Sequence, residues 1–354
     1  MRRIITIAVA GALLVGLVAV AGLLPVPYVA LSPGPTENTL GAYDGTEVIV
    51  ISGTETFPTE GNLDLTTVSV TRADSELDLL GALRFWLDPK VAVVPRETVY
   101  PDDVAPDEVR QQNAEQMQIS QENAIAAALR ELDLEVIDRV VVQSIVEDAP
   151  ALGRLQAGDA ILAVDGQQVA AAADVAEQIT SHEAGEDVVF TISRGGTRSE
   201  VTVTTELSPV EGAAPGDEQR PVVGIVPAAG FEFPFEVNIT LGEDIGGPSA
   251  GLVFALGIVD KLTPGALTDG SYVAGTGTID ADGVVGPIGG IQQKLVGALD
   301  AGATVFLVPA DDCQGAVAAG IEGLRLVRVE TLSDARASLE SIAAGSDDVP
   351  TCTT

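Results

Sequence analysis

Residues 242–262 read GEDIGGPSAGLVFALGIVDKL, and residues 272–309 read YVAGTGTIDADGVVGPIGGIQQKLVGALDAGATVFLVP. Two residues here can do chemistry together: Ser249, inside Gly247-Pro248-Ser249-Ala250-Gly251, and Lys294, after Gly289-Gly290-Ile291-Gln292-Gln293. Small and turn-forming residues surround Ser249, and an apolar, helix-forming run follows from Leu252 to Leu262. The pattern predicts Ser249 at a helix N-terminus, where backbone N–H groups without intrahelical partners can hold an oxyanion. Pro248 suits a first helical turn. The flanking glycines let a substrate backbone come close.

A serine hydroxyl needs a base. The stretch Gly247-x-Ser249-x-Gly251 fits a nucleophile elbow, but that arrangement needs a histidine after the serine. The chain's one histidine, His182, precedes it and is expected to be exposed on a polar loop. Arginine stays protonated and cannot serve. Three lysines remain: Lys90, Lys261 and Lys294. Lys261 falls at the far end of the predicted helix, roughly 18 Å from Ser249. Lys90 sits in a turn-like context with no motif around it. Lys294 opens a second helix, predicted from about Gln292 to Ala301, beside apolar Ile288, Ile291 and Leu295. To act near neutral pH its pKa must fall by about 2–3 pH units, a cost of roughly 3–4 kcal/mol met by burial. A plain surface lysine at a helix start is the competing reading, and there it would oppose the helix dipole.

The stretch resembles the proteolytic domain of the Lon peptidase family. The resemblance rests on Gly247 to Gly251, Thr276-Gly277, Gly283, Val285, Pro287-Ile288-Gly289-Gly290, Lys294, Ala301-Gly302-Ala303 and Phe306-Leu307-Val308-Pro309. It implies Ser249 as nucleophile and Lys294 as base, with Thr276 supporting the lysine. Three positions depart from the family pattern: Thr278 stands where Glu is usual, Gly286 where Leu is usual, and Gly246 where Asp is frequent. Lon peptidases couple to an ATPase, yet these 354 residues contain no G-x-x-x-x-G-K-[ST] phosphate loop. The chain itself is therefore expected to cut without hydrolysing ATP. The resemblance also makes a ring-shaped homo-oligomer an expectation.

Outward from this stretch, the formal net charge of −34 argues against a nucleic-acid partner, which needs a basic footprint. Ile4 to Leu24 is an uncharged run after Arg2 and Arg3. As a helix it would cover about 31 Å, the thickness of a bilayer's hydrocarbon core, with the N-terminus in the cytoplasm. A cleaved signal peptide is the rival reading, and the length of the run favours a retained anchor. Pro25 to Gly41 holds four prolines and reads as an extended spacer. Strands are predicted at Glu47–Ile51 and Leu63–Val70, a short helix at Leu79–Leu87, and extended pieces at Val91–Val94 and Thr98–Tyr100. The aromatic pair Phe85 and Trp86 reads as core, or else as a lipid-facing contact. Asp107–Leu132 is a long helix, with Met117, Ile125, Ala128 and Leu129 on one face. Its Met117-Gln118-Ile119-Ser120 segment, and the Leu63–Val70 strand before it, weakly resemble early elements of the Lon proteolytic fold.

Arg139 to Thr205 interrupts that fold. Its Ala157-Gly158-Asp159-Ala160-Ile161-Leu162 and Asp165-Gly166 resemble a bacterial protease-type PDZ domain. Such a domain takes an extended peptide as an added strand, and Val140 to Val142 are expected to border its groove. Leu207 to Pro221 reads as a linker, and Phe231 to Leu241 as a strand entering the catalytic stretch. Cys313 and Cys352 can pair outside the cytoplasm and staple the tail, in which Gly345 to Pro350 looks disordered. Two cysteines and one histidine make a zinc site improbable, so neither metal nor cofactor is expected.

The reading is an α+β chain: a Lon-like proteolytic domain, a PDZ domain inserted in it, and one N-terminal transmembrane helix. The expected boundaries are an anchor at 1–27, a spacer at 28–44, the first part of the Lon-like fold at 45–136, PDZ at 137–206, a linker at 207–222, the catalytic domain at 223–345 and a tail at 346–354. The expected function is a membrane-anchored, ATP-independent serine endopeptidase facing outside the cytoplasm. Its partners are protein or peptide substrates through the PDZ groove, and the membrane through the helix. The alternative is a tethered PDZ scaffold whose protease domain is dormant or cuts only itself.

Overall fold

The computed structural model describes residues 2–72, 75–100, 106–209, 219–242 and 245–353. In chain order, the elements used below begin with α1 (Arg2–Gly22), β1 (Tyr28–Asn38), β2 (Asn62–Val70), α2 (Leu79–Trp86), β3 (Ala92–Pro95) and α3 (Pro106–Glu131). They continue with β4 (Ile137–Ile145), β5 (Ala160–Val164), α4 (Ala172–Thr180), β6 (Asp187–Arg194), β7 (Thr197–Thr204) and β8 (Ile225–Glu232). The last are α5 (Gly251–Leu262), β9 (Tyr272–Gly275), α6 (Ile291–Ala301), β10 (Val305–Pro309), α7 (Cys313–Ala318), β11 (Arg325–Val329) and α8 (Leu332–Ala343).

The chain forms two compact units. One comprises Met1–Ile49, Thr56–Ala128 and Ile239–Thr354; the other comprises Val50–Glu55 and Leu129–Asn238. The first is thus interrupted in sequence by the second. Its centre is a mixed sheet in the order β11-β10-β9-β2-β1-β3. The neighbours β11, β10, β9 and β2 run parallel, and β1 is antiparallel to both β2 and β3. α5 is apolar on every side from Gly251 to Val259, all of them buried; Asp260 is buried too and accepts the Leu267 N–H at 2.6 Å. α6 packs on β1 and β2. There Gly297 lets the helix approach the strand: a Cβ would come within 3.2 Å of the Gly34 carbonyl.

The proline-rich segment expected as a spacer is strand β1, inside the sheet. Its prolines do not break the pairing, because the register with β2 shifts between Pro33 and Thr36. Proline is tolerated at such irregularities, where the ladder asks for no N–H. Thr98–Tyr100 is not extended either. Arg96–Thr98 makes a 3₁₀ turn, closed by the Thr98 hydroxyl donating to the Pro95 carbonyl at 2.6 Å. Trp86 is not core: it is 70% exposed. α1 forms over the expected run. Among the described residues no helix is long and apolar enough to cross a membrane. The side chains of Ile4, Ile7, Ala8, Ala10, Val18 and Ala19, on which that expectation partly rests, lie outside the description.

The second unit is a sheet in the order β7-β6-β5-β4-β8, with α4 against it. Val140, Val142, Ile161, Val164, Phe190 and Ile192 build its core with Val175 and Ile179 of α4. Asp159 is buried in a two-pronged ion pair with Arg194 (2.6 and 2.7 Å) and also accepts the Gln156 N–H. A buried carboxylate is tolerable when paired and hydrogen-bonded in this way. His182 is half-buried rather than exposed, 3.1 Å from Asp165 and 2.9 Å from the Gln178 carbonyl. The boundary also moves. β8, expected in the catalytic domain, pairs antiparallel with β4, and this unit runs on to Asn238. The ends of the expected linker pair with each other, Glu206–Pro209 against Gln219–Val222, and 210–218 lie outside the described residues.

The tail is not loose. Thr351 bridges to Val327, the Cys352 N–H donates to the Leu326 carbonyl, and Cys352 is disulfide-bonded to Cys313, 39 residues away. Closing a loop of that length in the unfolded chain stabilises the fold by about 4 kcal/mol. Cys352→Ser, or reduction, is expected to lower the thermal midpoint by several degrees; an unchanged midpoint would mean that the packing alone holds the tail.

Candidate active site

Three elements converge on the Lys294 amine. α6 supplies it from the first turn, entered through Gly290 at φ +70°, a left-handed conformation that glycine adopts without strain. A Cβ on Gly290 would also lie 2.7 Å from Val68 of β2. Lys294 is 3% exposed. Its Nζ donates to the Thr66 carbonyl of β2 at 2.7 Å and lies 3.0 Å from Thr276 Oγ1 and 2.8 Å from Ser249 Oγ. Thr276, just beyond β9 and fully buried, donates its own hydroxyl to the Ser249 carbonyl at 3.0 Å. The three residues singled out from sequence therefore meet. Lys90 and Lys261 do not join them: they pair with Asp300 and Glu47.

Hydrogen-bond inventory fixes what this amine can do. A charged lysine has three donors, and three acceptors surround it. In the neutral form two N–H bonds remain. The Thr66 carbonyl can only accept, and the Thr276 hydroxyl has already given its proton to the Ser249 carbonyl. Those two take the N–H bonds, and the lone pair is left for the Ser249 hydroxyl. Both protonation states are thus satisfied without rearrangement. Burial is the larger influence on the pKa and lowers it from 10.5 to about 7; the nearby Asp312 carboxylate acts the opposite way. Burial pushes Asp312 itself up, partly offset by the Ile288 N–H that it accepts at 3.0 Å. That bond holds the turn leading into α6.

Ser249 is half-buried and lies just before α5, which begins at Gly251 with Ala250 as its cap. Pro248 is thus outside the helix, not in its first turn. The loop is pinned from α3: the Ser120 hydroxyl donates to the Pro248 carbonyl at 2.9 Å, and the Gly247 N–H donates to the Asn113 carbonyl at 3.1 Å. On the other side the Gly277 N–H donates to the Ser249 carbonyl at 2.9 Å. A cleft of about 750 Å³ opens over Ser249 and Lys294, lined along one side by Thr67 to Val70 of β2. β9 pairs with β2 only over Asn62–Leu65.

Thr66, Ser120, Asn113 and Asp312 are site residues that the motifs did not identify. Thr66 and Asn113 act through backbone carbonyls, which leave no side-chain signature. Two departures from the Lon pattern prove to be coupled. Thr278 and Gly286 are direct cross-strand partners, and a Cβ at Gly286 would meet the Thr278 hydroxyl at 2.5 Å. The third, Gly246, lies against Asn113, whose Cβ would be 3.1 Å from an added one.

Residues 243–334 match the Lon protease (S16) C-terminal proteolytic domain, and residues 111–205 match a PDZ domain. The chain carries a Lon-type proteolytic domain and a PDZ domain. Lon protease 2 of Bacillus subtilis is 32% identical over 103 residues, 29% of this chain and 18% of that protein. A Lon protease of Clostridium beijerinckii is 40% identical over 91 residues, 25% of this chain and 11% of that protein. The chain thus matches less than a fifth of the length of either. A probable periplasmic serine endoprotease of the DegP-like type from Pseudomonas savastanoi is 37% identical over 78 residues, 22% of this chain and 16% of that protein. Among solved structures, the PDZ domain of an SdrC-like protein from Listeria innocua aligns with 25% of this chain and 92% of its own, at 29% identity and a TM-score of 0.22. The similarities support a serine peptidase.

In the PDZ unit, Val140–Val142 cannot accept an added strand, because β4 is already paired with β5 on one side and β8 on the other. The terminal strand is β8, and α4 packs near it. The strand at this edge of the sheet is therefore β8, not Val140–Val142.

Ser120→Ala should leave the half-buried Pro248 carbonyl without its partner and cost about 1 kcal/mol of stability. It should also slow labelling of Ser249 by a fluorophosphonate, followed by mass spectrometry. Unchanged stability and labelling would mean that the loop holds itself.

Proposed function

We propose that the protein is a membrane-anchored serine endopeptidase that cuts extended or unfolded polypeptides outside the cytoplasm without hydrolysing ATP itself. The observation that carries this reading is the buried Lys294 amine, 2.8 Å from Ser249 Oγ with its other two directions filled. The neutral amine takes the Ser249 proton as Oγ attacks the peptide carbonyl. Backbone N–H groups around Ser249 hold the oxyanion. The ammonium then protonates the leaving amine nitrogen, and the acyl-enzyme remains. Water, deprotonated by the same amine, releases the acid and restores Ser249. Thr276 orients the amine. The substrate main chain lies extended beside Thr67–Val70, where β2 outruns its partner β9. The β8–α4 groove of the PDZ unit captures exposed peptide tails.

Two observations support the location. The described apolar side chains of α1, including Ile5, Val9, Leu13, Leu14, Leu17 and Val20, are exposed on all sides of the helix, the pattern of a lipid-embedded span rather than a soluble one. Arg2 and Arg3 then set the N-terminus in the cytoplasm. The Cys313–Cys352 disulfide fits an oxidising compartment.

Residues 25–354 retain the pairing of Pro25–Val26 with Leu77–Asp78 and should cleave casein without ATP. Ser249→Ala and Lys294→Ala should each lose roughly 10³-fold or more, and Thr276→Val about 10–100-fold. Equal cleavage by all four proteins would reject the dyad. No cleavage by any would favour a tethered PDZ scaffold.

The base must be neutral, so cleavage should rise as pH increases through about 7, the Lys294 value. Asp312 raises that value. In Asp312→Asn the amide can still accept the Ile288 N–H but the charge is gone, so the rising limb should move to lower pH. A limb that stays in place would remove Asp312 from the electrostatics of the site.

A further inference from the structure

α2 is apolar on two faces. Ala82 is buried and Phe85 half-buried where the helix packs on β1 and β3. The opposite stripe, Leu79, Leu80, Leu83, Trp86 and Leu87, is exposed, reaching 70% at Trp86 and 73% at Leu87. The spacing i, i+1, i+4, i+7, i+8 makes it one continuous strip along the helix. A contiguous exposed apolar patch of this kind marks an interaction surface.

The position of α2 identifies what covers the strip. α1 ends at Gly22, and the chain emerging from it is fastened to the start of α2. The Leu79 N–H donates to the Leu24 carbonyl at 3.1 Å, Pro25 and Val26 pair with Asp78 and Leu77, and Leu80 packs on Gly22. α2 therefore begins beside the C-terminal end of α1, and its apolar strip continues the apolar surface of that helix through exposed Leu23 and Leu24. Arg84 is exposed on α2 itself.

We infer that α2 is an interfacial helix. Where α1 leaves the bilayer, Leu79, Leu80, Leu83, Trp86 and Leu87 enter the boundary between headgroups and acyl chains. Tryptophan prefers that depth, and Arg84 can reach the phosphates from it. Burial of apolar surface drives the contact, so a zwitterionic bilayer suffices. Two attachment points then hold the protease unit against the membrane. The inference rests on the reading of α1 as a span.

Trp86 is the only tryptophan in the chain, so its fluorescence reports α2 alone. The experiment uses the full chain in phosphatidylcholine vesicles, floated on a density gradient, with lipids brominated at shallow or deep acyl positions and with aqueous iodide. The expected result is co-flotation, loss of about half or more of the emission to shallow bromine, and little loss to iodide. Co-flotation with Trp86 open to iodide and untouched by bromine would overturn the interfacial helix while leaving the anchor intact. Protection from both quenchers would place a protein surface, such as a second copy, over the strip and equally overturn it. A chain that stays at the bottom of the gradient would reject the anchor and this inference together.

Discussion

The active-site architecture depends on keeping one amine dry. A lysine in water is fully charged at neutral pH and cannot take a proton from serine. Burial of Lys294 lowers its pKa to about 7, and the Asp312 carboxylate opposes that shift without cancelling it. The residual polar demand of the amine is met by the Thr66 carbonyl, the Thr276 hydroxyl and Ser249 Oγ. Leaving any of them out would strand a buried donor, at about 1–3 kcal/mol.

Each element around the site can be read as serving that constraint. β2 presents the Thr66 carbonyl and extends past β9 to form one side of the cleft. Gly290 lets α6 start close enough to Val68 for the amine to reach the sheet. α3 supplies Ser120 and Asn113 to hold the serine loop, although it precedes that loop by more than a hundred residues. Asp312 fixes the turn before α6 and is followed directly by Cys313, whose disulfide draws the tail onto β11. The PDZ unit occupies the stretch between α3 and α5, so the protease unit is assembled from chain on both sides of it.

Ser249 and Lys294, which meet at 2.8 Å, were legible because they sit in short, local patterns. Ser249 needs glycine and proline around it. Lys294 needs a glycine turn and an apolar helix face. The chain offers no other base with a setting of its own. What was illegible depends on partners distant in sequence. The four prolines before Gly41 read as a spacer, yet β1 tolerates Pro33 and Pro35 because a register shift with β2 falls there. Phe231–Leu241 read as one strand entering the catalytic stretch; Phe231 and Glu232 instead end β8, whose partner is β4, and Glu236–Ile239 form a separate strand. Val140–Val142 read as a groove edge, and β8 covers that edge. Trp86 read as core or as a lipid-facing contact; it lies off the face by which α2 packs on β1 and β3, and which strands α2 packs on is not a local property of the sequence.

The proposed chemistry requires a neutral lysine at working pH, which the titration of Lys294 itself reports. The chain has only three lysines, so side-chain amine resonances of lysine-labelled protein can be assigned by substituting Lys294 with arginine. The expected Lys294 midpoint is near pH 7. A midpoint near 10.5, the ordinary lysine value, would contradict it and leave Ser249 without its base.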